Sequence, residues 1–204
     1  MTPLVTVCGP ALSLPERDVD TDIIYPARFL LLTKREGLGR YAFFDRRGTP
    51  GFPLAADQDA APPILIAGAN FGCGSSREQA PWALGGLGVR VIVAESFGEI
   101  FQSNCIKNGM LPICLDAGTV TNLHARAAAG ARFAVDLDRQ MIVVDDVAPR
   151  PFAIDAEARE SLLNGWSEVA RIRMLHGADI ARFEAAQRRA SPWLWPAAEK
   201  EDQQ

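Results

Sequence analysis

Three short apolar runs constrain the fold of this chain more than any other feature. They are Ile64–Ala67, Arg90–Ala94 and Leu111–Leu115, and each is nearly continuous instead of alternating with polar residues. Such runs are typical of strands in a sheet that is covered on both faces. Helical patterns separate the runs, and the order strand, helix, strand, helix, strand indicates right-handed crossovers. The sequence therefore predicts the α/β class, with a mostly parallel core sheet flanked by helices.

A glycine-rich loop and a polar turn follow the first of these runs. Gly68, Gly72 and Gly74 let the backbone take positive φ angles and approach a ligand closely. A helix beginning after them would direct free backbone N–H groups at that ligand, and Arg77 adds a planar cation suited to carboxylate or phosphate. The stretch predicts an anion site that contains a hydroxyl group. A capped strand-loop-helix junction without a ligand is the alternative.

The start of the helix after this loop has two interpretations. Ser75 is followed three residues later by Glu78, and Ser76 by Gln79, so either serine matches a capping box. Pro81 lies too deep for the first helical position if the helix begins at Ser75, which favours a start nearer Gln79.

Further elements are predicted on either side of the three runs. Leu4–Cys8 matches a strand that Gly9-Pro10 would end, and Ser96–Glu99 matches a second capping box, opening a helix that stops at Gly109. Two later runs, Arg132–Leu137 and Gln140–Val144, predict a hairpin, which we expect at the periphery.

The C-terminal quarter has a helical pattern. Asp155 is the predicted cap of a helix that Gly165 stops, and apolar residues continue at helical spacing on both sides of Gly177, which indicates two more helices. Trp193 and Trp195 in the tail would either pack against the body or anchor a partner.

Composition excludes several classes of function. A chain of 204 residues with 48% hydrophobic residues can bury one core, and a net charge of −4 argues against general nucleic-acid binding. The N-terminus lacks the features of a secretory signal, and no apolar stretch is long enough to span a bilayer, so we expect a cytoplasmic protein. The four cysteines lack zinc or iron–sulfur spacing, so we expect no metal site in this chain.

Three stretches carry a resemblance to a known family. GANFGCGSSRE, which begins at Gly68, resembles the signature of the swivelling domain of the aconitase superfamily, most closely that of the small subunits of 3-isopropylmalate dehydratases. The likeness extends to the run DVDTD, Asp18 to Asp22, and to Ala94–Ile113. The resemblance implies a swivelling β/β/α domain, which we expect over residues 1–150. A helical C-terminal extension packed on the same domain is expected over residues 151–204.

The resemblance also implies roles for individual residues. Ser75 would be catalytic, as an alkoxide that removes a proton from a carbon next to a carboxylate. The substrate would be bound by Ser76 and Arg77, and by Leu31 and Thr33 in a loop that discriminates between substrates. Supporting positions would be Thr21, Asp22, Gly72, Gly74 and Gln79. Of these, Thr21-Asp22 lies at the edge of the active site in the family, where the acidic group holds other side chains in place.

The chemistry requires more than this chain carries. A helix terminus supplies up to about 2 kcal/mol, and one pKa unit is about 1.36 kcal/mol, so a helix dipole alone cannot ionise a serine. The resemblance implies that a separate large subunit binds a [4Fe-4S] cluster and that this small subunit closes over it. The implied reaction is dehydration and rehydration that converts 2-isopropylmalate to 3-isopropylmalate in leucine biosynthesis.

One departure from the family pattern leaves the substrate open. Many members carry histidine where this chain has Gln79, and glutamine cannot titrate. A related hydro-lyase subunit acting on dimethylmaleate, citraconate or homoaconitate is one alternative, and a non-catalytic carboxylate-binding module is another. A serine hydrolase is disfavoured because His124 and His176 are both far from Ser75 in the sequence.

Overall fold

The computed structural model describes residues 1–32, 34–145 and 147–195. The strands are β1 Thr6–Leu14, β2 Ile64–Ala67, β3 Val91–Ala94, β4 Leu111–Cys114, β5 Arg132–Asp136, β6 Met141–Val144 and β7 Arg150–Pro151. The α-helices are α1 Thr21–Ile24, α2 Gln79–Gly86, α3 Glu99–Lys107, α4 Ala117–Ala128, α5 Ala156–Asn164 and α6 Glu168–Ala190. Short 3-10 turns cover Ala27–Phe29, Leu38–Tyr41 and Pro192–Leu194.

The strands form one seven-stranded sheet in the order β4-β3-β2-β1-β5-β6-β7. The pairs among β1, β2, β3 and β4 are parallel, and α2 and α3 cross between successive strands. The pairs that β5 makes with β1 and β6, and the pair of β6 with β7, are antiparallel. The predicted α/β class and parallel core are confirmed. The predicted hairpin is confirmed as β5 and β6, but its peripheral position is wrong because β5 pairs with β1 inside the sheet.

Both faces of the parallel strands are buried. In β2, Leu65 and Ala67 face one hydrophobic cluster while Ile64 and Ile66 face another, and all four side chains are fully buried. The first cluster includes residues of α2 and α3, and the second includes residues of α4 and α5. This double burial is why the strand sequence is continuously apolar.

The first strand does not end at Gly9-Pro10 as predicted. It continues to Leu14 because its pairing partner changes at this point from one neighbouring strand to another. β5 pairs with Thr6–Pro10, and β2 pairs with Ala11–Leu14. The missing N–H of Pro10 therefore falls at the change of partner instead of within a ladder.

Both predicted capping boxes are wrong, although both helices exist. α2 begins at Gln79 after Glu78, and α3 begins at Glu99 after Gly98, and neither start has a side-chain cap. The alternative start nearer Gln79 is confirmed. Tertiary contacts explain the difference for Ser96, because its Oγ accepts a hydrogen bond from the Asn70 N–H at 2.8 Å instead.

The C-terminal helices partly match the prediction. Asp155 caps α5 through bonds from two backbone N–H groups, and Gly165 ends it in the left-handed conformation, as expected. The two helices predicted around Gly177 are a single helix, α6, because one glycine costs only about 1 kcal/mol relative to alanine in a long helix.

Contacts divide the chain into two compact units, Met1–Trp166 and Ser167–Gln204. The first contains the whole sheet together with α5, whose Leu162 is buried in the second hydrophobic cluster. The second contains α6, which has no buried residue. The boundary at residue 150 and the packing of an extension from residue 151 stay predictions. None of the described helices combines the length and apolar character needed to cross a membrane.

Candidate active site

The candidate site is a loop, residues 68–77, that follows β2; we call it the site loop. The segment that follows the parallel neighbour β1, residues 15–22, is called the acidic segment. Because the carboxyl ends of parallel strands meet at one edge of the sheet, the two run side by side. Their backbone hydrogen bonds are Gly68 N to Leu14 O at 3.1 Å, Asp18 N to Ala69 O at 2.9 Å, Gly72 N to Val19 O at 2.7 Å and Thr21 N to Cys73 O at 2.9 Å.

The segment that follows β3 supports the opposite flank of the site loop. The Phe71 N–H donates to the Ser96 carbonyl at 3.0 Å, and the Gly98 N–H donates to the Phe71 carbonyl at 2.9 Å. The site loop is therefore held between two other strand ends, and its backbone conformation is determined on both sides.

All three predicted glycines are required by this environment. A Cβ on Gly68 would lie 2.2 Å from the Glu16 carbonyl oxygen. Gly72 and Gly74 have φ angles of +72° and +86°, in the left-handed region that favours glycine. A Cβ on Gly72 would also lie 2.2 Å from the Phe101 ring. Close approach at Gly72 therefore serves the protein's own packing, where the sequence suggested contact with a ligand.

Thr21 connects the acidic segment to the first serine of the site loop. Its side chain is only 2% exposed, and its Oγ1 donates to the Ser75 carbonyl at 2.8 Å. The bond joins residues that lie 54 positions apart in the sequence. It fixes the backbone of Ser75, an exposed residue whose hydroxyl takes no part in this bond.

Asp22 holds Arg77 by an ion pair. The Nη1 of Arg77 donates to the Oδ1 of Asp22. The Arg77 side chain is 13% exposed, and that of Asp22 is 50% exposed. The bond from Arg77, with a further one from the Ala27 N–H, holds the pKa of the Asp22 carboxyl below its ordinary 3.8. Asp22 therefore stays ionised near neutral pH. Arg77 has five N–H donors, so this bond leaves others able to bind a carboxylate.

The remaining predicted residues lie in different surroundings. Ser75 and Ser76 are exposed on the site loop, and Gln79 is half-buried at the first position of α2. Leu31 is 92% exposed, so it is not packed against the site loop in this structure. Thr33 lies outside the described residues.

Two polar residues that the sequence analysis did not single out join the acidic segment to the site loop. Asn70 Nδ2 donates to Asp18 Oδ1 at 2.7 Å, and both residues have left-handed φ angles, +57° and +54°. Asparagine and aspartate tolerate this conformation better than other residues that carry a Cβ. Their side-chain types and their places in the motifs DVDTD and GANFGCGSSRE were the available signals, because their pairing depends on the tertiary structure.

The residues that the structure describes do not fit an iron–sulfur cluster. Among the described residues, no three His, Cys, Asp or Glu side chains come together as metal ligands. The cysteines are dispersed, since Cys105 is buried while Cys8 and Cys114 are exposed. Cys73 lies on the site loop, where burial and the carboxylates of Asp20 and Asp18 raise the pKa of its thiol.

A histidine supports the sheet beneath the site loop. His124 on α4 forms a hydrogen bond through Nδ1 with the Ser13 Oγ of β1 at 2.8 Å. Burial lowers the pKa of His124 below its ordinary 6.5, against the opposing effects of the Ala67 backbone and the Glu95 carboxylate. The neutral form is therefore favoured by folding.

We expect the free energy of unfolding to fall as the pH is lowered through the range just below 6.5, because the unfolded chain then takes up a proton that folded His124 resists. This contribution is complete above pH 6.5, where both forms are neutral. His124→Gln should reduce this slope, as measured by urea unfolding between pH 5 and 7. The exposed His176, the only other histidine, provides the control His176→Gln, which should keep the wild-type slope. An unchanged slope in His124→Gln would contradict the assignment.

Comparisons with known proteins agree with this fold. A family model described as the aconitase C-terminal domain matches residues 1–118. A 3-isopropylmalate dehydratase small subunit from Rhodospirillum centenum is 44% identical over 201 residues, covering 95% of this chain and 98% of the relative. One from Bacillus pumilus is also 44% identical, covering 95% and 99%. A crystal structure of 3-isopropylmalate dehydratase from Methanocaldococcus jannaschii is similar with a TM-score of 0.68 and 25% identity, covering 87% of this chain and 99% of that one.

Proposed function

The chain belongs to the aconitase C-terminal domain family and, within it, to the small subunits of 3-isopropylmalate dehydratase, and from this membership we propose that it supplies one half of an isopropylmalate isomerase active site. A 3-isopropylmalate dehydratase small subunit is part of a hydro-lyase and works with a large subunit. The proposed reaction is the dehydration and rehydration that converts 2-isopropylmalate to 3-isopropylmalate, as a step of leucine biosynthesis in the cytoplasm.

The arrangement of Ser75, Ser76 and Arg77 is the observation that carries the proposal. The two serines are exposed, and Arg77 is held beside them by Asp22. Such a constellation can hold a dicarboxylate and present one hydroxyl to it, because the guanidinium fork matches carboxylate geometry.

Each residue has a proposed role in the reaction. Ser75 Oγ, as an alkoxide, takes the proton from the carbon next to a substrate carboxylate and becomes a hydroxyl, and Arg77 with Ser76 binds that carboxylate. Thr21 fixes the Ser75 backbone, Asp22 orients Arg77, and Gly72 and Gly74 allow the loop to turn. Gln79 supports the loop from the start of α2. Leu31 and Thr33 would contact the alkyl branch of the substrate.

The [4Fe-4S] cluster that the family implies is assigned to the large subunit. The residues described here offer no set of ligands for it. The exposed part of the site loop, Gly74 to Ser76, is consistent with this division, because half of an active site must remain open to the chain that completes it.

Reconstitution tests the proposal directly. The purified chain alone should convert no 2-isopropylmalate, and activity should appear when a cluster-bearing large subunit is added. The pair should be assayed against 2-isopropylmalate, 2,3-dimethylmalate, citramalate and homocitrate. Preference for another acid would replace the substrate, whereas tight binding of a small carboxylate by the isolated chain, with no activity in the pair, would favour a binding module.

A further inference from the structure

A cation–π contact connects the segment that carries Leu31 to the helix that follows the site loop. The Arg35 guanidinium lies over the Trp82 ring of α2, with its Cζ 4.4 Å from the ring centroid. Arg35 is four positions from Leu31, so four residues of chain, at most about 14 Å when extended, connect them. The position of Arg35 therefore limits where Leu31 can lie.

The indole that receives Arg35 is itself fixed. Its Nε1 donates to Asn108 Oδ1 at 2.9 Å, and Asn108 Nδ2 donates to the Asn104 carbonyl at 2.8 Å, at the end of α3. Trp82 is thus a platform that two helices hold in place. Because the Trp82 indole is already fixed, stacking of the Arg35 guanidinium on it costs little conformational entropy of the Trp82 side chain.

The two ends of the same segment are anchored elsewhere. Before Leu31, the centroid of the Phe29 ring lies 4.5 Å from that of the Tyr41 ring and 5.0 Å from that of the Phe44 ring. After Arg35, Gly39 approaches the backbone of Gly86 so closely that a Cβ would lie 2.4 Å from it. Between these anchors, Leu30 and Leu38 pack in the first hydrophobic cluster, whereas Leu31 is 92% exposed and Leu32 39% exposed. In the exposed part between Leu32 and Leu38, the Arg35 side chain is attached to the body by its stack on Trp82.

We propose that Arg35, stacked on Trp82, is a positioning residue that sets where Leu31 meets the alkyl branch of the substrate. The inference rests on the proposed function, because it takes the Leu31 segment as the part that contacts this branch. Arg35 does not touch the reacting atoms. Its loss should weaken the selection of a branched substrate and leave the chemical step unchanged.

The expected effect is modest and selective. An exposed cation–π pair contributes about 0.5–1 kcal/mol, which corresponds to about a two- to fivefold change. In the reconstituted enzyme, Arg35→Gln should raise KM for 3-isopropylmalate by this factor with kcat unchanged. KM for malate, which has no alkyl branch, should stay the same. Arg35→Lys keeps the cation and should recover part of the loss.

Two controls separate the stacked pair from charge alone. Arg40→Gln removes the same charge from the same region, where Arg40 stacks on Tyr41 instead of Trp82, and should leave the ratio of the two KM values unchanged. Trp82→Leu should reproduce the effect of Arg35→Gln. The double variant should be no worse than either single one, because the two residues act through one contact.

Tryptic cleavage of the isolated chain provides a readout that needs no activity. Lys34 is exposed beside the contact, so Arg35→Gln and Trp82→Leu should each increase the cleavage rate after Lys34 about two- to fivefold. Unchanged cleavage, or additive effects of the two substitutions on KM, would overturn the inference. A wild-type pair without isopropylmalate turnover would refute the proposed function and this inference with it, whereas normal turnover with unchanged KM ratios in the variants refutes the inference alone.

Discussion

Ser75→Ala should lower kcat of the reconstituted enzyme by about 10²- to 10⁴-fold, the range that general acid–base groups contribute. The substitution removes only the exposed Oγ. It keeps the Ser75 carbonyl, which accepts the bond from Thr21 Oγ1 at 2.8 Å, so the site loop should retain its conformation. Conversion of 2-isopropylmalate, followed with purified large subunit in excess, measures the effect.

A matched serine distinguishes loss of chemistry from loss of assembly. Ser103 is exposed on α3 outside the site loop, and Ser103→Ala should have wild-type kcat. Both variants should bind the large subunit as the unmodified chain does, as judged by size-exclusion chromatography. Near-normal turnover of Ser75→Ala would remove Ser75 from the catalytic role and leave Arg77 and Ser76 as a binding site only.

Gly72→Ala should destabilise the chain by about 2–5 kcal/mol. A left-handed φ costs a residue with a Cβ about 1–2 kcal/mol, and forcing an extra methyl into a packed site costs about 1–3 kcal/mol. At Gly72 both apply, because φ is +72° and the new Cβ would lie 2.2 Å from the Phe101 ring. Urea unfolding of the isolated chain, monitored by circular dichroism, measures the difference.

Gly51 provides the control for this substitution. Its φ is +83°, but no atom lies within 4 Å of the Cβ that alanine would add. Gly51→Ala should therefore cost only the conformational part, about 1–2 kcal/mol. Equal losses at the two positions would show that the Phe101 ring moves aside without penalty, and that packing does not constrain Gly72.

Local patterns predicted the elements whose cause is local. β2 was recognisable because a strand covered on both faces needs apolar residues at every position. α5 was recognisable because its N-terminal Asp155 and C-terminal Gly165 satisfy the helix ends within their own neighbourhood. The glycine loop and its serines were located from the spacing of neighbouring residues, which is also a local signal.

Local patterns failed where a distant residue competed for the same group. Ser96 matched a capping box, but its hydroxyl accepts a bond from Asn70, 26 positions away. Gly9-Pro10 had the composition of a strand end. The strand continues there, because the partner of β1 changes from β5 to β2. The miss of α4 has a different cause, because its signal is local: Asp116 accepts a bond of 2.9 Å from the Thr119 N–H, and the sequence analysis did not use it.

The sequence by itself determined the parallel core and located the site loop with its candidate residues Ser75, Ser76 and Arg77, because periodicity, glycine spacing and motif are properties of neighbouring residues. Only the tertiary structure decided how that loop is held. The bond of Thr21 to Ser75 and the ion pair of Asp22 with Arg77 join residues 54 and 55 positions apart. They form because two parallel strands end at the same edge of the sheet, and no local pattern specifies which strands become neighbours.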